Sequence, residues 1–191
     1  MTQITHPELV RKLFKDPTTI HMTPDQVNLL HAAVGLAGEA GEVLELVTGH
    51  DSYNQTATQA QEYRHNMVLE LGDLAFYAEA FRQAFDHKVY YSDPEDMVRG
   101  PQFHLHVAAK IAVHSSQILD TVKKMVFNNR THLRHTVIQH LCQLEDYLGV
   151  LRAIHGITRQ ETLDANIAKL SARYEDLEYS DEAAAVRRDE A

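Results

Sequence analysis

Apolar residues recur at alternating steps of three and four in four long stretches of this chain. Within the stretch 62–87, the recurring positions are Met67, Leu71, Leu74, Ala78 and Phe81. Because an α-helix has about 3.6 residues per turn, this spacing places the apolar side chains on one face. The stretches 24–47, 101–128 and 133–155 show the same pattern, and none shows the strict alternation of strands. The sequence therefore predicts an all-α protein, a bundle of four long antiparallel helices plus a short C-terminal helix.

The expected helix boundaries come from capping residues. Thr23-Pro24-Asp25-Gln26 is typical of a helix start, with an N-cap, proline at the first helical position and a capping-box glutamine. Thr158 to Glu161 predicts a second such start. We expect one domain over 1–175 and a charged tail over 176–191. Within that domain we expect an active half over 23–87, a scaffold half over 101–156 and a closing helix over 158–174.

Composition and charge narrow the classes of function. The formal net charge is −9, so binding to duplex nucleic acid, which needs clustered cations, is not expected. A single cysteine, Cys142, excludes an internal disulfide and fits a reducing cytosol. No stretch predicts a secretory signal or a membrane-spanning helix. We therefore expect a cytoplasmic protein without a membrane partner.

The most informative run is Gly35-Leu-Ala-Gly-Glu-Ala-Gly-Glu-Val-Leu-Glu45. Glu39, Glu42 and Glu45 are three residues apart and therefore form an acidic ridge on a helix. The run also contains three glycines, each costing about 1 kcal/mol relative to alanine in a helix interior. Glycine lets another helix or a ligand approach the backbone closely, which a purely structural helix would not need.

The next helix carries a second acidic pair, Glu70 and Asp73, again beside a glycine. Two such pairs on adjacent antiparallel helices can converge on one cation. Carboxylates without a nearby cysteine suit Mg²⁺, with Mn²⁺ as a possible substitute. The alternative is a solvated acidic face, which is common on exposed helices. Two pairs beside glycines in apolar surroundings favour the metal site over that alternative.

These blocks resemble a known family. GLAGEAGEVLE followed by ELGDLAFY is similar to the E-x-x-E and E-x-x-D signature of MazG-like all-α nucleoside triphosphate pyrophosphatases, especially phage-type members. The segment from Asn166 to Tyr174 resembles their closing N-x-x-K-L-x-x-R-[YF] block. Together the blocks cover about a third of the chain, and about seventy intervening residues depart from the compact members. A tandem arrangement of helix pairs would resemble the dimeric dUTPases of the same superfamily.

The resemblance implies a Mg²⁺-dependent reaction in which a nucleoside triphosphate and water give a monophosphate and pyrophosphate. It implies action on deoxynucleotides such as dGTP or dUTP, in the host cytoplasm if the gene belongs to a phage. It also implies a homo-oligomer, a dimer or a tetramer. The residues that it assigns to the metal are Glu39, Glu42, Glu70 and Asp73. The residues that it assigns to the substrate are Asn166, Lys169 and Arg173.

The same region supplies three further candidate site residues, Glu45, Asn28 and His31. Glu42 or Glu45 could orient the attacking water. The candidate catalytic residues are therefore Glu39, Glu42 and Glu45. Asn28 and His31 lie two to three turns before Glu39 and could reach a base. For both of them, an ordinary helix surface is an equally good interpretation.

The two helix pairs suggest a degenerate tandem repeat. Aligning 112–122 with 37–47 puts His114 at the position of Glu39 and Gln117 at that of Glu42. Aligning 144–146 with 71–73 puts Gln143 at Glu70 and retains Asp146 at Asp73. Chance alignment of two amphipathic helix pairs explains the pattern equally well. If the repeat is real, only the first copy keeps the full set of four acids, so we expect one metal site per chain.

Two other classes of function compete with the hydrolase. A carboxylate-bridged di-metal redox bundle would need two E-x-x-H motifs, and the sequence has one, from Glu62 to His65. A non-catalytic helical interaction module would tolerate loss of the acids. Retention of all four acids in the first half weighs against it.

Overall fold

The computed structural model describes residues 4–49, 56–88, 101–174 and 177–186. These residues form α-helices and two short 3₁₀ turns, with no strand among them. The α-helices of these ranges are α1 (His6–Leu13), α2 (Pro24–Thr48), α3 (Ala57–Phe85), α4 (Pro101–Phe127), α5 (Arg134–Ile154), α6 (Arg159–Arg173) and α7 (Asp181–Val186). The all-α prediction is confirmed, with α2 to α5 as the four long helices and α6 as the short one.

Capping explains where the helices begin. The predicted boxes of α2 and α6 are present, with Thr23 and Thr158 each accepting from the backbone N–H three residues later. The predicted start of α3 near residue 62 was too late. Thr56 and Gln59 form a further capping box, which begins the helix at Ala57. The threonine and glutamine residues before residue 62 supply the cap and the first turns of this helix.

Two short helices were not predicted. A capping box between Thr5 and Glu8 starts α1 in a segment with no buried residue. In the charged tail, Ser180 accepts from the backbone N–H of Ala183 at the start of α7. Both helices are short and bury no side chain, so local hydrogen bonds rather than core packing define where they begin.

One apolar core joins the four long helices. Fully buried side chains from each of them meet there, among them Leu36, Leu71, Ile111 and Leu148. The α2–α3 and α4–α5 hairpins pack together mainly through α2 and α4. No helix in the described ranges combines the length and the apolar character needed to span a bilayer.

Helix α6 lies along α3 and runs in the same direction. The contacts Arg64–Glu161, Asp73–Asn166 and Asp73–Lys169 join residues 97, 93 and 96 positions apart, a nearly constant offset. Arg64 makes a two-point contact with Glu161, at 2.7 and 3.0 Å between nitrogen and oxygen. This parallel arrangement brings the end of α6 to the acidic pair of α3.

Gly72 permits this close approach. A Cβ atom at this position would lie 2.7 Å from the backbone oxygen of Thr162 and 3.0 Å from Cβ of Asn166. The expectation that glycine allows another helix to approach is confirmed at this position. At Gly38 and Gly41, by contrast, an added Cβ would meet no atom within 4 Å.

We predict opposite effects of alanine at Gly72 and at Gly41. Gly72→Ala should lower the free energy of unfolding by about 1–3 kcal/mol, because α6 must move away from α3. Gly41→Ala should raise it by about 0.5–1 kcal/mol, because alanine is the better helix former and has space here. Urea denaturation of both variants measures the effects. Equal effects of one sign would contradict the close packing of α6.

Candidate active site

Three carboxylates converge where α2 crosses the middle of α3. Glu39, Glu70 and Asp73 each offer an oxygen atom within 4.8 Å of the other two, and all three are partly buried. The antiparallel hairpin produces this arrangement, because Glu70 and Asp73 are one turn apart on α3 and face Glu39 of α2. Within the described ranges, this is the one group of three or more potential metal ligands.

Burial and mutual repulsion make two of these groups unusually basic. Burial, then the charges of Asp73, Glu42 and Glu70, raise the pKa of Glu39 to about 7. Burial, then the charges of Glu42 and Asp73, raise the pKa of Glu70 to about 7. In addition, Glu70 Oε2 is buried without a hydrogen-bond partner. A hard divalent cation would satisfy this oxygen and relieve the repulsion, so the donor set fits Mg²⁺ or Mn²⁺.

Asp73 has partners from α6. Its Oδ1 accepts a hydrogen bond of 2.8 Å from Asn166 Nδ2, and its Oδ2 lies 2.5 Å from Lys169 Nζ. Asn166 is buried, and the side chains of Lys169 and Asp73 are only 22% and 13% exposed. Lys169 thus places a positive charge in direct contact with the cluster.

The cluster forms one wall of a cavity of about 550 Å³. Glu42 lines the same cavity, and so do Lys169 and Arg173 of α6. This volume is in the usual range for a small-molecule site. The remaining lining is largely aromatic and apolar, from Phe76, Tyr77, Leu170, Tyr174, Leu177 and Tyr179.

Tyr77 reaches this cavity because α2 has a glycine opposite it. An added Cβ at Gly35 would lie 2.2 Å from the tyrosine ring. The ring also makes an edge-on contact with His31, with centroids 6.0 Å apart. Burial and the nearby charges of Glu39 and Asp73 raise the pKa of the Tyr77 hydroxyl. Gly35 therefore serves the site by admitting an aromatic side chain beside the acids.

A second cavity of about 500 Å³ adjoins the first and shares His31, Phe76 and Tyr77 with it. Asn28, Asp25 and Gln83 supply polar groups to its lining. Asn28, predicted as a substrate contact, therefore lies in the second cavity and not beside the acids. His31 lies between the two cavities.

Most predicted site residues thus come together, and Glu45 does not. Glu42 is exposed but lines the first cavity, whereas Glu45 is exposed and lies outside the described lining of both cavities. On a helix, Glu45 is rotated by about 120° from Glu39, so the predicted acidic ridge turns away from α3. Proximity to the cavity therefore favours Glu42 over Glu45 as the residue that orients water.

The sequence prediction omitted the aromatic lining. Phe76 and Tyr77 follow Asp73 by three and four residues, so helical spacing alone could have found them. Leu177 and Tyr179 lie in the tail, beyond the predicted domain end at 175. Tyr179 is held near Tyr174, with ring centroids 5.7 Å apart. No local sequence signal connects these tail residues with the acids.

The second hairpin lacks an equivalent acidic cluster within the described residues. His114, aligned with Glu39, faces His140 and Tyr147 instead. Gln117, Gln143 and Asp146 are exposed. The scaffold role of residues 102–155 stays a prediction, and the origin of the repeat stays an interpretation.

Searches against protein-family models, curated proteins and solved structures find no match to this chain.

The raised pKa values predict how stability depends on pH in the metal-free protein. Between pH 4.5 and about 7, native Glu39 and Glu70 retain protons that the unfolded chain releases, so rising pH favours unfolding. The free energy of unfolding of the wild type should therefore fall relative to that of Glu70→Gln across this window.

Urea denaturation with a chelator, at several pH values, measures this difference. Comparing the two proteins cancels histidines that titrate in the same range. Saturating Mg²⁺ should reduce the pH dependence of this difference in the free energy of unfolding, because the cation favours ionised carboxylates. If the free energies of unfolding of the two proteins differ by the same amount at every pH, the raised pKa values of Glu39 and Glu70 are contradicted.

Proposed function

We propose that this protein is a Mg²⁺-dependent hydrolase that converts a nucleoside triphosphate and water into a monophosphate and pyrophosphate. The observation that carries the proposal is one cavity that is lined both by the carboxylates and by the basic side chains of Lys169 and Arg173. A triphosphate carries about four negative charges and needs both a cation and basic side chains. The resemblance to MazG-like pyrophosphatases supports the same assignment.

Glu39, Glu70 and Asp73 would hold the metal, with Glu42 close enough to share in the site. The raised pKa values and the unpartnered Glu70 oxygen support this choice, since both disfavour an isolated anionic cluster. When bound, Mg²⁺ polarises phosphoryl oxygens and lowers the pKa of a bound water. The chain's own residues then position the substrate and handle the proton.

Lys169 has a double role in this proposal. Without ligand, its ammonium group neutralises Asp73 at 2.5 Å. When a metal binds Asp73, the ammonium can turn to the phosphates, which need a cation on that side of the cavity. Asn166 keeps its hydrogen bond to the other oxygen of Asp73 and thereby fixes the carboxylate.

Glu42 is the proposed orienting base. It lines the cavity and is exposed, so a water molecule can reach its carboxylate. The water oxygen forms a bond to phosphorus, and the bridging bond between the α- and β-phosphates breaks. The proton passes to Glu42 and then to solvent or product. Attack at either phosphorus gives the same two products.

The second cavity suits the nucleoside end of the substrate. His31, Phe76 and Tyr77 offer ring faces or edges between the two cavities, and such rings pack against bases. Asn28 and Gln83 add amide groups that can donate to and accept from a base edge. We propose deoxynucleoside triphosphates, such as dGTP or dUTP, as substrates and a role in nucleotide pool control.

Exposed apolar side chains on α2 support the proposed dimer or tetramer. Val27 and Val34 are 47% and 55% exposed, on the helix that carries Glu39 and Glu42. The redox alternative has less support, since the cluster contains no histidine and both ends of the single E-x-x-H motif, Glu62 and His65, are exposed.

The reaction is tested by incubating the protein with ribo- and deoxyribonucleoside triphosphates and Mg²⁺ or Mn²⁺. We expect monophosphate and pyrophosphate as products. Glu42→Gln should reduce kcat by about 10²–10⁴-fold, the usual contribution of a general base. Glu45→Gln and Asp146→Asn, its matched controls outside the cavity, should retain activity. Orthophosphate as the only product, or no turnover of any triphosphate, would contradict the proposal.

Substitution of Lys169 separates substrate binding from metal binding. Lys169→Ala should raise KM for the triphosphate by about tenfold or more, because one charge-assisted contact of roughly 1.5–3 kcal/mol is lost. Affinity for Mn²⁺ alone should stay equal or increase, since Asp73 loses a competing cation. Steady-state kinetics and Mn²⁺ titration measure the two effects. A parallel loss of both affinities would show that Lys169 only supports the cluster.

A further inference from the structure

Two histidines face each other between α4 and α5, in the half that the proposed reaction does not use. Nδ1 of His114 and Nδ1 of His140 are 3.4 Å apart. His114 is 9% exposed and His140 is partly buried. The ring of Tyr147 stacks on that of His114, with centroids 5.5 Å apart and planes 19° apart. Neither histidine lines either cavity described above.

The spacing of the two nitrogens matches a shared metal ion better than a shared proton. Hydrogen bonds donated by N–H groups are usually about 2.7–3.2 Å long between heavy atoms. Two histidine nitrogens bound to one tetrahedral Zn²⁺ at about 2.0–2.1 Å are about 3.3–3.4 Å apart. The distance between the two nitrogens therefore already fits that between two ligands of one ion.

The surroundings also favour the neutral imidazole, the form that binds metals. Burial, then the charges of His140 and Lys110, lower the pKa of His114. A hydrogen bond with the side chain of Gln117 opposes this lowering of the pKa, but the net direction is down, and the same bond orients the ring. Hydrogen bonds of this kind hold many metal-binding histidines in position.

We propose that His114 and His140 form a binding site for a borderline divalent cation, with Zn²⁺ as the best fit. Imidazole nitrogen suits Zn²⁺, whereas the carboxylates of the first hairpin suit Mg²⁺. No third histidine, cysteine or acidic side chain completes a cluster here within the described residues, so water supplies the remaining ligands. The ion links α4 to α5 across their interface.

The site does not depend on the proposed hydrolase function. Under the repeat alignment, however, His114 occupies the place of Glu39. The two hairpins then carry cation sites of different chemistry at related positions, with oxygen ligands in the first and nitrogen ligands in the second. An ion at the second site would stabilise the scaffold and take no part in hydrolysis.

The test is a Zn²⁺ titration of the full chain in saturating Mg²⁺, followed by calorimetry and by NMR of ¹⁵N-labelled imidazoles. In the wild type, Zn²⁺ should shift the Nδ1 signals of both His114 and His140. His140→Ala should weaken this binding by about tenfold or more, a typical loss when a metal site is disrupted. His135→Ala removes an exposed histidine of the same helix and should bind like the wild type.

Glu70→Gln separates this site from the acidic cluster and should leave Zn²⁺ binding at the histidine pair unchanged. The proposal is overturned if His140→Ala binds Zn²⁺ as the wild type does. It is also overturned if Zn²⁺ shifts other histidines while the signals of His114 and His140 stay in place. The wild-type NMR result decides the matter even if a variant folds poorly.

Discussion

Repulsion among three half-buried carboxylates is the constraint on which the rest of this site depends. Glu39, Glu70 and Asp73 lie within 4.8 Å of one another in a region that burial makes poor in solvent. Such an arrangement is unfavourable unless protons, a cation or basic side chains offset it. The structure shows part of this compensation in the raised pKa values and in the contact of Lys169 with Asp73. A divalent cation would complete it.

Helix packing delivers the compensating groups to the acids. α6 can lie directly on α3 because Gly72 has no side chain, and its parallel direction carries Asn166 and Lys169 to Asp73. On the other side, Gly35 admits the Tyr77 ring. The two glycines thus allow α6 to approach α3 and the Tyr77 ring to approach α2. These close contacts bring the charged and aromatic side chains of the site together.

The sequence was sufficient for the helical class and for the convergence of three of the four acids, Glu39, Glu70 and Asp73. Both follow from helical periodicity, since side chains three and four residues apart share a face. The same rule failed at Glu45, because a step of three repeated twice rotates the side chain away from α3. It also said nothing about Gly38 and Gly41, whose surroundings are open. Local spacing describes one helix and does not reveal what lies opposite.

Contacts between segments that are distant in the chain could not be predicted from the sequence. The 2.8 Å hydrogen bond from Asn166 to Asp73 joins residues 93 positions apart, and only the resemblance to a family suggested that both served one site. Nothing in the sequence linked the tail residues Leu177 and Tyr179 to the site. The tail is short and charged, which predicts only a solvent-exposed segment. The histidine pair of α4 and α5 was hidden for the same reason, because 26 residues separate its members.

The central claim is that the first hairpin holds a divalent cation between α2 and α3. A crystal structure of the protein with Mn²⁺ and a non-hydrolysable triphosphate analogue, with anomalous scattering to locate the metal, tests this claim most directly. We expect an anomalous peak within coordination distance of Glu39, Glu70 and Asp73, with the phosphates turned toward Lys169 and Arg173. A triphosphate bound elsewhere, or acids that remain without metal at saturating Mn²⁺, would contradict it.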